Sequence, residues 1–164
     1  MNVLAFAVVA LLAVASALAM VLVRNPIHSA LFLVVNLFCV AVFYLMLGAE
    51  FLAAAQVIVY AGAIMVLFLF AIFVLIPGKE ETGPDPRRST RVLAAPVGAI
   101  LFVLLLVMLS TRFGQPVPAG AVDGGVASLG RLLFTDYLFP FELTSVLLLA
   151  AMVGVLVLAR RGPS

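Results

Sequence analysis

The residues of this chain that could carry chemistry inside a membrane lie mostly in one apolar stretch, 51–76. Gln56 and Tyr60 are one helical turn apart there, so their side chains could share a hydrogen bond or bridge one water molecule. At about 100° per residue, one stripe of an α-helix would carry a phenol, an amide and smaller apolar groups: Ala53, Gln56, Tyr60, Ala63 and Leu67. A stripe with these polar groups is expected to face protein or water rather than lipid.

A cluster of small residues, Ala61, Gly62 and Ala63, directly follows Tyr60. Small residues let neighbouring membrane helices approach closely, so a tight packing interface is the simpler interpretation of this cluster. Glycine also lowers the cost of leaving α geometry, and single-turn π-bulges are frequent at functional sites. A hinge in this helix is therefore the second interpretation.

Two carboxylates, Glu50 and Glu142, lie near the outer ends of apolar stretches. Each is interpreted either as a solvated or helix-capping group near the lipid headgroups or as part of a proton path. The chain has one histidine and one cysteine, Cys39. This composition lacks a ligand set for a zinc site, a bis-histidine haem or an iron–sulfur cluster.

The composition predicts an integral membrane protein. Hydrophobic residues make up 66% of the 164 residues and charged residues only 10%, against about 45–50% and about 25% in soluble domains. A spanning helix needs about 20 apolar residues, and open strands cannot satisfy their backbone in lipid. We therefore predict an all-α, polytopic, single-domain fold with five transmembrane helices, at residues 3–23, 27–47, 51–76, 92–109 and 139–159. Pro96 is expected in the first turn of the fourth helix.

The basic residues predict the orientation. Seven of the nine lie on one side of the predicted helices: Arg24, Lys79, Arg87, Arg88, Arg91, Arg160 and Arg161. Because Lys and Arg are retained on the cytoplasmic face, the N-terminus is expected outside, in the periplasm, and the C-terminus in the cytoplasm. The loop 77–91 is then cytoplasmic and the loop 112–138 periplasmic, with an amphipathic turn or two over 127–134. These charges indicate topology rather than binding to nucleic acid.

Three sequence stretches resemble a known family. They are Arg24-Asn-Pro-Ile-His28, the run Gln56-Val-Ile-Val-Tyr-Ala-Gly-Ala-Ile-Met-Val-Leu-Phe68, and Phe139-Pro-Phe-Glu-Leu-Thr-Ser-Val-Leu-Leu-Leu-Ala-Ala-Met152. Together they are similar to subunit J of proton-pumping NADH:quinone oxidoreductase, the bacterial counterpart of the mitochondrial chain 6 of respiratory complex I.

The resemblance implies a non-catalytic membrane subunit of this translocase in the bacterial inner membrane. The parent complex uses NADH, FMN, iron–sulfur clusters and quinone, none of which this chain is expected to bind as its own site. The implied partners are the small A- and K-type subunits, the quinone-site H-type subunit, the antiporter-like N-type subunit and the lipid bilayer.

The resemblance further implies that the third helix switches between an α form and a π-bulged form and thereby gates a water path. The residues assigned to this gating helix are Gln56, Tyr60, Ala61, Gly62, Ala63, Met65 and Leu67. Position 56 is Gln where some members have Glu, which weakens the case for a proton-carrying carboxylate there. Two alternatives stay open: an equivalent subunit of a related complex that uses ferredoxin or another donor, and a small membrane scaffold or channel.

Overall fold

A computed structural model describes residues 3–75, 88–112 and 124–160, and within these ranges the regular secondary structure is helical throughout. This confirms the predicted all-α class. The helices are α1 (Val3–Leu22), α2 (Pro26–Met46), α3 (Glu50–Leu75, with a π-helical segment at Gln56–Ile64), α4 (Arg88–Arg112), α5 (Val126–Phe134) and α6 (Leu138–Ala159). The predicted loop 77–91 and the first part of the loop 112–138 lie largely outside the described residues.

In the described ranges, four helices are long and apolar enough to cross a membrane: α1, α2, α3 and α6. The 25-residue helix α4 contains a shorter apolar stretch, Pro96–Ser110. Pro96 was expected in the first turn, but α4 begins at Arg88, so the proline lies inside the helix. The prediction placed the start at the first apolar residue, whereas the backbone already turns helically through the polar residues before it. The orientation in the membrane stays a prediction.

Polar side chains join α1 to α2 within an otherwise apolar contact. The Asn36 amide donates hydrogen bonds to the Ala13 carbonyl oxygen at 2.8 Å and to the Ser16 hydroxyl at 3.2 Å. Near the end of α1 and the start of α2, the Ser29 hydroxyl donates to the Met20 carbonyl oxygen at 2.5 Å. Such bonds between membrane helices satisfy polar groups that lipid cannot, which fixes the register of the pair.

Helix α2 also packs against α3, so it is the central member of the first three helices. Its start is set locally, because the Asn25 side chain accepts a hydrogen bond from the Ile27 backbone N–H at 2.9 Å and Pro26 occupies the first turn. Its buried residues are small, namely Ala30, Cys39 and Ala41. Small side chains allow the helix axes to approach closely, which positions the π segment against α2.

Helices α5 and α6 make up most of the last described range, 124–160. Helix α5 covers the stretch 127–134, predicted to be amphipathic, and adds one residue at its start. Its last residue, Phe134, makes an edge-on ring contact with Phe141 of α6, with centroids 5.1 Å apart. No residue of α6 is buried. Helix α6 therefore presents most of its apolar surface to its surroundings.

Candidate functional site

The third helix changes its hydrogen-bond pattern in its middle. Residues Gln56–Ile64 form a π-helix, and the Met65 backbone N–H donates to the carbonyl oxygen of Tyr60, five residues earlier. The flanking stretches Glu50–Ala55 and Met65–Leu75 are α-helical. Gln56, Tyr60, Ala61, Gly62 and Ala63 lie inside this π segment, while Met65 and Leu67 follow it. A π turn contains one residue more than an α turn, so every residue beyond it changes direction.

The buried side of the third helix follows this extra residue. Ala53 and Gln56 are buried as expected, but the next buried positions are Ala61 and Met65, at 7% and 5% exposure. The expected members Tyr60, Ala63 and Leu67 are exposed instead, and Tyr60 reaches 52% exposure in the isolated chain. The predicted single stripe was therefore wrong beyond Gln56, because it assumed about 100° per residue throughout.

Gln56 and Tyr60 do not form a pair. Gln56 is 7% exposed and lies on the side of α3 that packs against α2, whereas Tyr60 points away from that side. No hydrogen bond joins the two side chains in this conformation. The site therefore presents a buried amide and an outward-facing phenol at neighbouring levels of one helix.

Gly62 lies on the open side of the π segment. A Cβ atom at this position would meet one described neighbour within 4 Å, the Val57 carbonyl oxygen at 3.2 Å. No other helix among the described residues of this chain comes within 4 Å of that Cβ position, so the expected close approach of a neighbouring helix stays a prediction. The tight contact is with the carbonyl five residues earlier, which is the acceptor position of a π-helix. Val57 carries no side-chain signal that could have identified it from the sequence.

The two carboxylates occupy different helix positions. Glu50 is the first residue of α3, where a negative charge interacts favourably with the positive helix end. Glu142 was expected to start the last helix, but α6 begins at Leu138, so Glu142 lies beyond the first turn. The helix begins one residue before the predicted bound of 139. Both carboxylates are exposed in this chain.

Several polar residues that position the site were not identified as functional by the sequence. Asn36 and Ser16 bind α1 to α2, and Ser16 also donates to the Ala13 carbonyl oxygen at 3.0 Å. The available signal was their position as isolated polar residues in apolar helices. Across the described ranges, no group of three or more His, Cys, Asp or Glu side chains could hold a metal ion.

Comparison with known proteins agrees with the sequence motifs. A family profile described as NADH-ubiquinone/plastoquinone oxidoreductase chain 6 matches residues 16–158. The chain is 42% identical over 162 residues to NAD(P)H-quinone oxidoreductase chain 6 of Nostoc sp., covering 98% of this chain and 80% of that protein. It is 38% identical over 169 residues to the chloroplastic NAD(P)H-quinone oxidoreductase subunit 6 of Zygnema circumcarinatum, covering 98% and 93%.

A bacterial relative carries the name suggested by the motifs. The chain is 33% identical over 172 residues to NADH-quinone oxidoreductase subunit J of Rhodobacter capsulatus, covering 97% of this chain and 82% of that protein. The profile match includes the π segment, most of the helical residues that precede it in the sequence, and nearly all of α6. The chain therefore belongs to the NADH-ubiquinone/plastoquinone oxidoreductase chain 6 family.

Proposed function

We propose that this chain is a membrane-arm subunit of a proton-translocating NADH:quinone oxidoreductase and that its third helix gates a central water path. The observation that carries the proposal is the π segment Gln56–Ile64 in a chain of this family. The segment lies in a spanning helix whose described residues carry no charge beyond Glu50 at its start. Such a helix can change shape without moving a charge through the membrane.

The proposed movement is a return of the π segment to α geometry. One residue fewer per turn would rotate the following part of α3 by about 100° relative to the part before it. Ala61 and Met65 would then leave the contact with α2, and Tyr60 and Ile64 would take their places. The phenol would enter the bundle in one form and leave it in the other, which changes both the width and the polarity of a path beside α2.

A gate at this place has an energetic purpose. Moving one proton against the membrane potential requires about 2.3 kcal/mol per 100 mV, so an open path would dissipate the gradient that the complex builds. The apolar side chains of Met65 and Leu67 would close the path by excluding water, as hydrophobic constrictions do in channels. The chain needs no titrating side chain of its own for this role.

The iron–sulfur clusters of the parent complex do not fit this chain. Its single cysteine, Cys39, is buried in α2, and an iron–sulfur cluster needs several thiolate or imidazole ligands. We therefore assign electron transfer to other subunits. The expected partners are the small A- and K-type subunits, the quinone-site H-type subunit and the antiporter-like N-type subunit, in a bacterial inner membrane.

Purification of the native assembly tests the subunit assignment. The chain, tagged at its C-terminus, is extracted in mild detergent, and the associated subunits and their flavin and iron content are determined. We expect co-purification with flavin- and cluster-containing subunits that oxidise NADH. Clusters with ferredoxin oxidation but no NADH oxidation would assign a related complex, and a homo-oligomer of this chain would indicate a scaffold or channel.

Substitution of Gly62 by Val tests the gate separately. The β-branched side chain would press against the Val57 carbonyl oxygen, because even a Cβ atom lies 3.2 Å from it. We expect Gly62→Val complexes to oxidise NADH with an artificial acceptor at nearly the normal rate but to lose most proton-coupled quinone reduction. Rates are measured per assembled complex in membrane vesicles.

Gly154→Val is the matched control, because Gly154 lies in the spanning helix α6 and a Cβ atom added there meets no described atom within 4 Å. Normal coupled turnover in assembled Gly62→Val complexes would contradict the gate. A parallel fall of assembly and turnover would instead indicate plain packing.

A further inference from the structure

The turn between α2 and α3 is closed by its own backbone. The Gly48 N–H donates to the Leu45 carbonyl oxygen at 3.0 Å, and the Ala49 N–H donates to the Tyr44 carbonyl oxygen at 2.9 Å. Gly48 has a φ of +75°, so the helix ends in a Schellman motif. This motif uses the Gly48 and Ala49 N–H groups and makes no use of the Gly48 carbonyl group.

A second glycine covers this carbonyl group. A Cβ atom at position 124 would lie 2.5 Å from the Gly48 oxygen, 3.1 Å from the Gly48 carbonyl carbon and 3.3 Å from the Ala49 Cα atom. Real Cβ atoms do not approach a backbone oxygen this closely, and the obstacle is backbone that cannot rotate away. Position 124 therefore accepts only glycine while the two segments stay in contact.

The contact connects two parts of the chain that are far apart in sequence. Gly124 precedes α5, whose nine residues span about 13 Å, and the far end of α5 meets α6 through Phe134 and Phe141. Helix α6 has no buried residue of its own. Its position relative to the first three helices thus depends on how α5 is attached.

We propose that Gly48 and Gly124 form a backbone latch that fastens α5, and through it the outer end of α6, to the turn that enters α3. The latch is a contact between two main chains, so its strength depends on the absence of side chains at both positions. It holds the start of α3 and the start of α6 at a constant separation, on the side of the membrane that is predicted to be periplasmic.

Distance measurement between spin labels tests the latch in the assembled complex. One label replaces Leu31, an exposed residue of α2 that lies about 22 Å along the helix from its last residue. The other label replaces Val126, an exposed residue of α5. We expect a narrow distance distribution in the parent pair. Adding Gly124→Ala should broaden the distribution and shift its mean, because the two backbones must separate.

Gly130→Ala is the matched control, since position 130 lies in α5 and has no described atom within 4 Å of an added Cβ atom. It should leave the distribution unchanged. The proposal is overturned if Gly124→Ala keeps the narrow distribution of the parent pair. It is also overturned if the distance distribution of the parent pair is itself broad. The parent pair can be measured even when the Gly124→Ala complex does not accumulate.

Discussion

At the scale of single residues, removal of the Tyr60 hydroxyl distinguishes a role in ordering the water path from a role in packing. The side chain is 52% exposed in the isolated chain and forms no hydrogen bond with Gln56. We expect Tyr60→Phe to assemble normally and to retain more coupled turnover than Gly62→Val, because only the hydroxyl is lost. The measurement is quinone reduction with proton uptake per assembled complex. A loss as large as that of Gly62→Val would place the hydroxyl itself in the water path.

Glu50 and Glu142 are expected to contribute differently to stability because they occupy different helix positions. Glu50 is the first residue of α3, where a negative charge contributes about 0.3–1 kcal/mol, whereas Glu142 lies past the first turn of α6. We expect Glu50→Gln to lower the thermal stability of the complex and Glu142→Gln to lower it less, with turnover largely kept in both. Thermal unfolding and proton pumping are measured together. Complete loss of pumping in an intact Glu142→Gln complex would identify a proton-path residue instead.

At the scale of helices, the contact between α1 and α2 holds the surface on which the third helix rests. Asn36 supplies two of its hydrogen bonds, to Ala13 and Ser16. We expect Asn36→Leu to destabilise the complex by about 0.6–2 kcal/mol, the range measured for hydrogen bonds between membrane helices. The change is read from denaturation of the purified complex.

Ser110→Ala is the control for Asn36→Leu, because the Ser110 hydroxyl bonds at 2.8 Å to the Val107 carbonyl oxygen of its own helix. Its loss should change stability little. If both variants behave alike, the bond between α1 and α2 contributes no more than a bond within one helix, and small-residue packing alone holds the pair.

The π segment shows why helix register cannot be deduced from periodicity alone. In α geometry a buried position recurs every three or four residues, yet Ala61 follows Gln56 on the buried side after five. The extra residue rotates Met65 into the contact with α2 and leaves Leu67 exposed. The side that the following residues present is therefore decided by one turn of helix.

At the scale of the whole molecule, the charge distribution predicts the orientation. Thr82 lies in the predicted cytoplasmic loop, and Ala127 lies in α5 on the predicted periplasmic side. In inside-out vesicles, we expect a membrane-impermeant maleimide to label Thr82→Cys and not Ala127→Cys, with the reverse in intact spheroplasts. The native Cys39 is buried, so the background is low. Labelling of Thr82→Cys only from the outside would reverse the topology.

The surface of the chain indicates assembly with other subunits. Large apolar residues are exposed on every spanning helix, and α6 buries none of its 22 residues within the chain. Lipid can cover such surfaces, but the exposed Tyr60 hydroxyl is better satisfied against protein. The hydroxyls of Thr144 and Ser145 already bond to the Phe141 carbonyl oxygen of their own helix, at 2.8 and 3.0 Å, so they need no such partner.

The sequence by itself determined the membrane class, the helical fold and the family. Hydropathy acts over about 20 consecutive residues, and a backbone in lipid must satisfy its hydrogen bonds within each segment, so these properties are local. The ends of α1, α2 and α3 differ from the predicted bounds by one residue at most. The motif from Gln56 to Phe68 identified the family for the same reason, because it is a contiguous string.

Only the tertiary structure decided which side of the third helix is buried and how the last two helices are attached. The π and α forms of a turn differ by one residue, and their relative energy depends on which side chains meet α2, so Ala61 and Met65 could not be separated from Tyr60 by spacing alone. The contact of Gly124 with Gly48 joins positions 76 residues apart. No local pattern marks such a pair, because each glycine alone resembles an ordinary turn residue.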